Sequence, residues 1–161
     1  MSILLYRVDE RLIHGQVVIG WGNQLHPTRY LVVDDMLAES DWEQELYLLG
    51  LPGGEEVTFT SVDEARERLG QWMEDPVRSI LLTRDVNTML RLAEGGRLAG
   101  QTVNLGGIHH IPGREQVLPY LYIDEPLRKS LRSLEEHGVA VSARDLPGSP
   151  GVPLKTLLRF A

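Results

Sequence analysis

The sequence predicts an α/β fold: a single-domain, mostly parallel sheet of about seven strands with helices on both faces. Three observations carry the prediction. Short apolar runs rich in β-branched residues recur along the chain. Stretches of helical periodicity separate most of them. N-cap residues and glycines stand at the ends of those stretches. Strands joined through intervening helices run parallel, and the helices cover both faces of their sheet.

The first strand is expected over Ile3–Val8 and a helix over Gln16–Leu25. A second strand, Tyr30–Val33, leads to a helix over Asp41–Gly50, with Ser40 as N-cap and Gly50 as stop. Val57–Ser61 precedes a helix over Val62–Met73, where Ser61 and Glu64 have the spacing of a capping box. Ser79–Thr83 precedes a helix over Val86–Glu94, opened by Asp85 and stopped by Gly95. Thr102–Leu105 is followed by a Gly/Pro-punctuated stretch from Gly106 to Pro119, which is expected to be a long loop carrying His109 and His110. Leu118–Ile123, a helix over Glu125–His137 ending at Gly138, and Val139–Ala143 complete the alternation. The stretch LPGSPGVP, residues 146 to 153, is a turn region before a short apolar tail, Leu154–Phe160. With no internal repeat or linker, residues 1–161 are expected to form one domain.

Composition removes several function classes. No window approaches the roughly 20 apolar residues of a membrane span, and the N-terminus lacks the basic and apolar regions of a signal peptide, so a soluble cytoplasmic protein is expected. The absence of cysteine excludes disulfides and thiolate chemistry. A balance of 16 basic and 23 acidic residues, net −7, argues against nonspecific nucleic-acid binding. Any anion site has to be local.

One stretch has the parts of such a site: YRVDERLIHGQVVIGW, residues 6 to 21. The loop from a parallel strand into a helix lies where ligands collect in open α/β sheets. The helix start offers unpartnered N–H groups and a positive dipole end. Arg11 adds a planar fork of donors suited to phosphoryl oxygens. Gly15 lets backbone approach without a Cβ. A neutral imidazole at His14 is a nucleophile near pH 7. Together these suit a phosphohistidine site, although a lone histidine at a strand–helix junction is also what a surface residue or a cap looks like. Asp34 and Asp35 end another strand as a carboxylate pair with the form of a Mg²⁺ site or of turn and helix-entry residues, the latter favoured. Thr83 and Arg84 end a further rim strand, within reach of a phosphate or a docked partner. His109 and His110 resemble a metal pair, but neighbours on an extended segment point to opposite sides and no third ligand has suitable spacing, so loop surface is expected. His26, before Pro27, reads as a turn residue and His137 as a helix C-terminal residue.

Residues 7 to 17, RVDERLIHGQV, resemble the R-[IV]-D-[DE]-R-L-[IL]-H-G-Q-V signature of the IIB component of mannose/fructose/sorbose-type sugar phosphotransferase systems (PTS). YLVVDDMLAES, ILLTRDVNTMLRLAEGG and TVNLGGIHH resemble later parts of the same family, in its order, over almost the whole chain. The resemblance implies a protein-N(pi)-phosphohistidine–sugar phosphotransferase with no metal or organic cofactor. A phosphorylated IIA protein would give its phosphoryl group to His14, at Nδ1, and the group would pass to a sugar at the membrane IIC and IID subunits. The protein would be cytoplasmic and peripherally associated with that transporter, with self-association open. Arg11 would hold the phosphoryl oxygens and Asp9 would orient Arg11 or His14, or act only as a strand-end turn residue. Gly15 and Gln16 would supply backbone N–H groups, with Thr83 a further contact. A second reading stays open: a regulatory module in which phosphorylation of His14 only alters binding to another protein. A dinucleotide-binding domain is disfavoured because no G-x-G-x-x-G follows the first strand.

Overall fold

The structure, a computed structural model, describes residues 2–159. Strands β1 (Ile3–Val8), β2 (Arg29–Val33), β3 (Glu56–Thr60), β4 (Ser79–Thr83), β5 (Thr102–Leu105) and β8 (Ala140–Ala143) run parallel in the order β3-β2-β4-β1-β5-β8. A two-residue strand, β9 (Val152–Pro153), closes one edge antiparallel to β8. The expected α/β class and mostly parallel sheet are both present. Strand β1 lies between β4 and β5, and the chain after it winds first to one side through β2, β3 and β4 and then to the other. That reversal of winding opens a crevice at the carboxyl end of β1.

Two apolar layers cover the sheet. Helices α3 (Val62–Glu74), α4 (Val86–Ala93), α5 (Glu125–Glu136) and α6 (Leu154–Leu157) contribute to one core with Val8, Leu31, Leu81, Val103 and Val141. On the opposite face a π-helical stretch, Gln16–Trp21, continues into α1 (Gly22–Leu25) and packs with Tyr30, Val32, Ile80 and Leu82. The alternation within β4, Leu81 to one core and its neighbours Ile80 and Leu82 to the other, explains why this strand reads as an unbroken apolar run. No residue of helix α2 (Asp41–Leu48) is fully buried, and the helix meets the second core through the partly buried Tyr47.

The caps behave unequally. Ser61 accepts from the Glu64 N–H and Asp85 from the Thr88 N–H, and Asp124 does the same for Leu127. Ser40 holds the N-cap position without a side-chain bond. Gly95 and Gly138 are left-handed, with φ of 77° and 82°, as their stop roles need.

Three elements differ from expectation. The first helix is π-helical over Gln16–Trp21 and is entered through a tight turn, in which the His14 carbonyl accepts from Val17 N–H (3.0 Å) and Val18 N–H (2.9 Å). The strand expected over Leu118–Ile123 is the second arm of a separate antiparallel hairpin, β6 (Glu115–Leu118) and β7 (Leu121–Ile123), with Pro119 and Tyr120 at its turn. Proline cannot donate to a ladder, so the run breaks there, and part of the expected loop becomes β6. The main sheet reaches seven strands through β9 instead. Of the apolar tail, Leu154–Leu157 is helical and Phe160 lies outside the described residues.

Candidate phosphoryl site at the carboxyl end of β1

The loop after β1 is pinned to both neighbouring strands. Asp9 N–H donates to the Thr83 carbonyl and Glu10 N–H to the Gly107 carbonyl, each at 3.0 Å, while Gly106 N–H reaches back to Val8 O at 2.7 Å. Leu12 N–H donates to Asp9 O at 3.0 Å and closes a tight turn. Leu12 accepts a left-handed backbone (φ 54°) with its side chain fully buried. That conformation costs an L-residue about 1–2 kcal/mol, and burying a leucine side chain contributes about 1.5–3 kcal/mol, so packing holds the turn. The result presents His14 at the mouth of the crevice.

Beneath His14 lies a fully buried carboxylate. Asp9 Oδ1 accepts from Arg11 N–H at 3.1 Å and lies 3.5 Å from Arg11 Nε, while Oδ2 accepts from Arg7 Nη2 and Gly107 N–H, each at 3.2 Å. His14 Nε2 stands 3.2 Å from the same Oδ2, a charge-assisted contact without an aligned hydrogen bond. Burial alone pushes the Asp9 carboxyl up, but the close contact and charge of His14, the charge of Arg7 and the Arg11 N–H together outweigh it and hold it down at about 2. Arg7 is itself wholly buried, bonded to Asn104 and to the carbonyls of Arg144 (2.7 Å) and Asp145 (3.2 Å), with its Cζ 5.4 Å from the Trp21 ring centroid. Burial lowers its pKa from the usual range, against the pull of Asp9.

The other ring nitrogen of His14 faces the helix start. Nδ1 accepts from Gln16 N–H at 3.3 Å. In the neutral ring this pattern leaves the proton on Nε2, beside Asp9, and the lone pair on Nδ1. Arg11, with a half-exposed side chain, spans from Asp9 to Gln16 Oε1, 2.8 Å from its Nη2. A Cβ built on Gly15 meets nothing within 4 Å, so nothing in the fold demands glycine there.

Residues 3–161 match the family described as the PTS system sorbose subfamily IIB component. The chain belongs to this family. The N-acetylgalactosamine-specific phosphotransferase enzyme IIB component 1 of Escherichia coli (strain K12) is 32% identical over 151 residues, covering 91% of this chain and 92% of that protein. The mannose-specific EIIAB component of the same strain is 30% identical over 162 residues, 98% of this chain and 49% of that protein. The crystal structure of manxB from Thermoanaerobacter tengcongensis superposes with a TM-score of 0.87 at 29% identity, covering 98% of this chain and 95% of that one. The protein is accordingly a phosphoryl carrier of a sugar phosphotransferase system, a phosphotransferase working through a phosphorylated intermediate, and IIB components work with IIA and membrane IIC and IID partners. Among the described residues no helix is long and apolar enough to cross a membrane.

The remaining candidates of this IIB component separate clearly. Thr83 is fully buried; its hydroxyl donates to Asp85 O at 2.9 Å and its carbonyl accepts from Asp9 N–H. Arg84 turns toward α2, 3.4 Å from the Tyr47 hydroxyl and 4.0 Å from Glu43. Asp34 accepts from Leu37 N–H, and Asp35 accepts from Val62 N–H and pairs with Arg91 at 2.8 Å, so both carboxylates serve turns and helix entries. His26 is a left-handed turn residue and His137 caps α5 at the Ser133 carbonyl. His110 packs edge-on against Tyr122, whereas His109 bonds to Glu10. Three contributors escaped the sequence reading: Arg7, whose signal was a lone charge inside an apolar strand; Glu10; and Gly106. A Cβ at Gly106 would strike the Arg7 guanidinium and come within 2.5 Å of Asp9 Oδ2.

Proposed function

We propose that His14 is the phosphorylated residue and that Nδ1 is the atom that bonds to phosphorus. The observation that carries this is the unequal treatment of its two nitrogens: Nε2 rests on a buried carboxylate and Nδ1 faces the backbone of Gln16. Phosphorylated IIA presents its phosphoimidazole to this rim. The N–P bond to the donor breaks as the His14 Nδ1–P bond forms in line, and no net proton moves. With one phosphoimidazole replacing another the step is nearly isoenergetic, and the protein supplies position and charge. The incoming phosphoryl group takes the Gln16 and Gly15 N–H groups and the exposed guanidinium of Arg11 as donors. Asp9, ionised far below neutrality, balances the positive ring left when Nε2 keeps its proton.

Phospho-His14 then delivers the group to a sugar at the membrane IIC and IID subunits, with the whole chain acting as one IIB unit in the cytoplasm against the transporter. Any self-association leaves the rim around His14 open. Incubation with a phosphorylated general carrier and IIA, followed by phosphate mapping by mass spectrometry, tests the assignment. The label is expected on His14 and absent from His14→Ala; full labelling of His14→Ala overturns it.

A further inference from the structure

Helix α2 sets its polar side chains inward and its apolar ones toward water. The half-buried positions are Glu43, Gln44 and Tyr47. Gln44 Nε2 donates to the carbonyls of Leu37 (2.9 Å) and Ala38 (3.3 Å), Glu43 lies 4.0 Å from Arg84 Nη2, and Tyr47 packs on the second core. On the other side Trp42, Leu46 and Leu49 recur at i, i+4 and i+7 and are 66%, 57% and 82% exposed. Of the eight large apolar side chains exposed among the described residues, five lie between Met36 and Leu49, so the exposure is concentrated on this segment. A surface helix ordinarily has the reverse arrangement, and a concentrated exposed apolar face marks a place of contact.

Charge identifies the partner. Residues 30–65 hold ten acidic and no basic side chains, whereas the rest of the chain holds 16 basic and 13 acidic. Asp41 and Glu45, one turn apart on α2, and Glu39 just before it are exposed and form no ion pair among the described residues. Two copies meeting at this face would set like charge on like, and an anionic lipid surface would be repelled. The complement is a surface that joins Lys and Arg to apolar side chains. Cytoplasmic loops of membrane proteins carry that excess of Lys and Arg as a consequence of how they insert. Position agrees with charge. The strand that leads into α2, β2, lies two strands from β1, about 10 Å across the sheet, with its carboxyl end on the same rim. Arg84, next to the Thr83 whose carbonyl accepts from Asp9 N–H, is the residue that touches Glu43 and the Tyr47 hydroxyl. The face therefore borders the rim that carries His14. Resting on the carrier reading above, we infer that the Trp42–Leu46–Leu49 face and its acidic border dock the basic cytoplasmic loops of the membrane subunits. Trp42 is the anchor, because large aromatic side chains dominate such contacts once water is excluded, and the carboxylates set the encounter rate and orientation. The sugar stays in the membrane subunits, and docking beside the rim brings phospho-His14 to it.

The test reads the two halves of the cycle separately on the full chain. Trp42→Ala, Leu46→Ser and the double charge reversal Glu39→Lys with Glu45→Lys alter exposed side chains, so they are expected to melt with the wild type and to be charged by phosphorylated IIA at its rate. The charged proteins are then mixed with vesicles holding IIC and IID and a panel of labelled hexoses. The carrier concentration that half-saturates discharge is expected to rise about 30-fold in Trp42→Ala at an unchanged maximal rate, and Trp42→Phe to recover most of the loss. Added KCl weakens wild-type docking, and the charge reversal removes most of that salt dependence. Cosedimentation of uncharged protein reads the docking without any transfer: binding is expected to vesicles holding IIC and IID and not to protein-free vesicles of the same anionic lipid. Wild-type half-saturation and cosedimentation in Trp42→Ala and in the charge reversal overturn the inference. Slower charging with normal discharge overturns it by giving the face to IIA, equal binding to protein-free vesicles by giving it to lipid, and a dimer that Leu46→Ser dissolves by giving it to a second copy. Absence of label on wild-type His14 overturns the carrier assignment; the docking is then judged by cosedimentation, where loss in Trp42→Ala upholds it and wild-type binding overturns it.

Discussion

Replacing Asp9 by asparagine removes one charge from the centre of the site and little volume. The Arg7 guanidinium, with no exposure, then loses the one carboxylate it pairs with among the described residues, and breaking a buried ion pair in this way costs about 3–5 kcal/mol. A domain of this size has a total stability of about 5–15 kcal/mol, so the variant is expected to fold with a melting temperature lower by about 10 °C. The pH dependence supplies an independent check. Asp9 is depressed from 3.8 to about 2 in the folded state, so its contribution is complete above about pH 4 and is lost as the pH falls toward 2. That shift corresponds to about 2 kcal/mol. Thermal and urea unfolding between pH 2 and 7 should show this acid-side loss in the wild type and a shallower one in Asp9→Asn. Stability of the variant within about 1 kcal/mol of wild type, with the same acid slope, would refute the reasoning that a saturated buried carboxylate anchors the site.

Other perturbations separate chemistry from scaffold. Arg11→Ala, at a half-exposed side chain, should lower the rate of phosphoryl transfer by about 10² with little change in melting temperature, measured by rapid-quench labelling and calorimetry. Gly15→Ala meets nothing inside the chain, so it should leave stability unchanged or slightly raised while slowing transfer, because the added methyl occupies the approach to Nδ1; wild-type kinetics would show that the approach lies elsewhere. Gly106→Ala drives a Cβ into Arg7 and Asp9 and should destabilise by about 1–3 kcal/mol, read from urea unfolding.

How much of this was legible in the sequence follows chain distance. Asp9, Arg11, His14, Gly15 and Gln16 lie within eight consecutive positions, so the loop and its chemistry stand in one stretch of text. Gly107, whose N–H completes Asp9, comes from 98 residues further along, and Arg7 hides in an apolar strand because its charge is neutralised inside the fold. Thr83 stands at a strand end on the same rim, and strand-end position does not reveal that its carbonyl bonds to Asp9 N–H while its hydroxyl turns to Asp85 O. The alternating strands and helices were legible from periodicity. The β6–β7 hairpin was not, because its arms are three and four residues long and Pro119 divides a run that reads as one strand.

The most direct measurement is on the imidazole of His14 itself. With ring-¹⁵N-labelled protein phosphorylated by IIA, long-range ¹H–¹⁵N and ³¹P-coupled spectra should show coupling of phosphorus to Nδ1 of His14 alone, with the proton on Nε2. Coupling to Nε2, or to any of the other four histidines, would contradict the assignment of the buried Asp9 contact as the feature that leaves Nδ1 free to react.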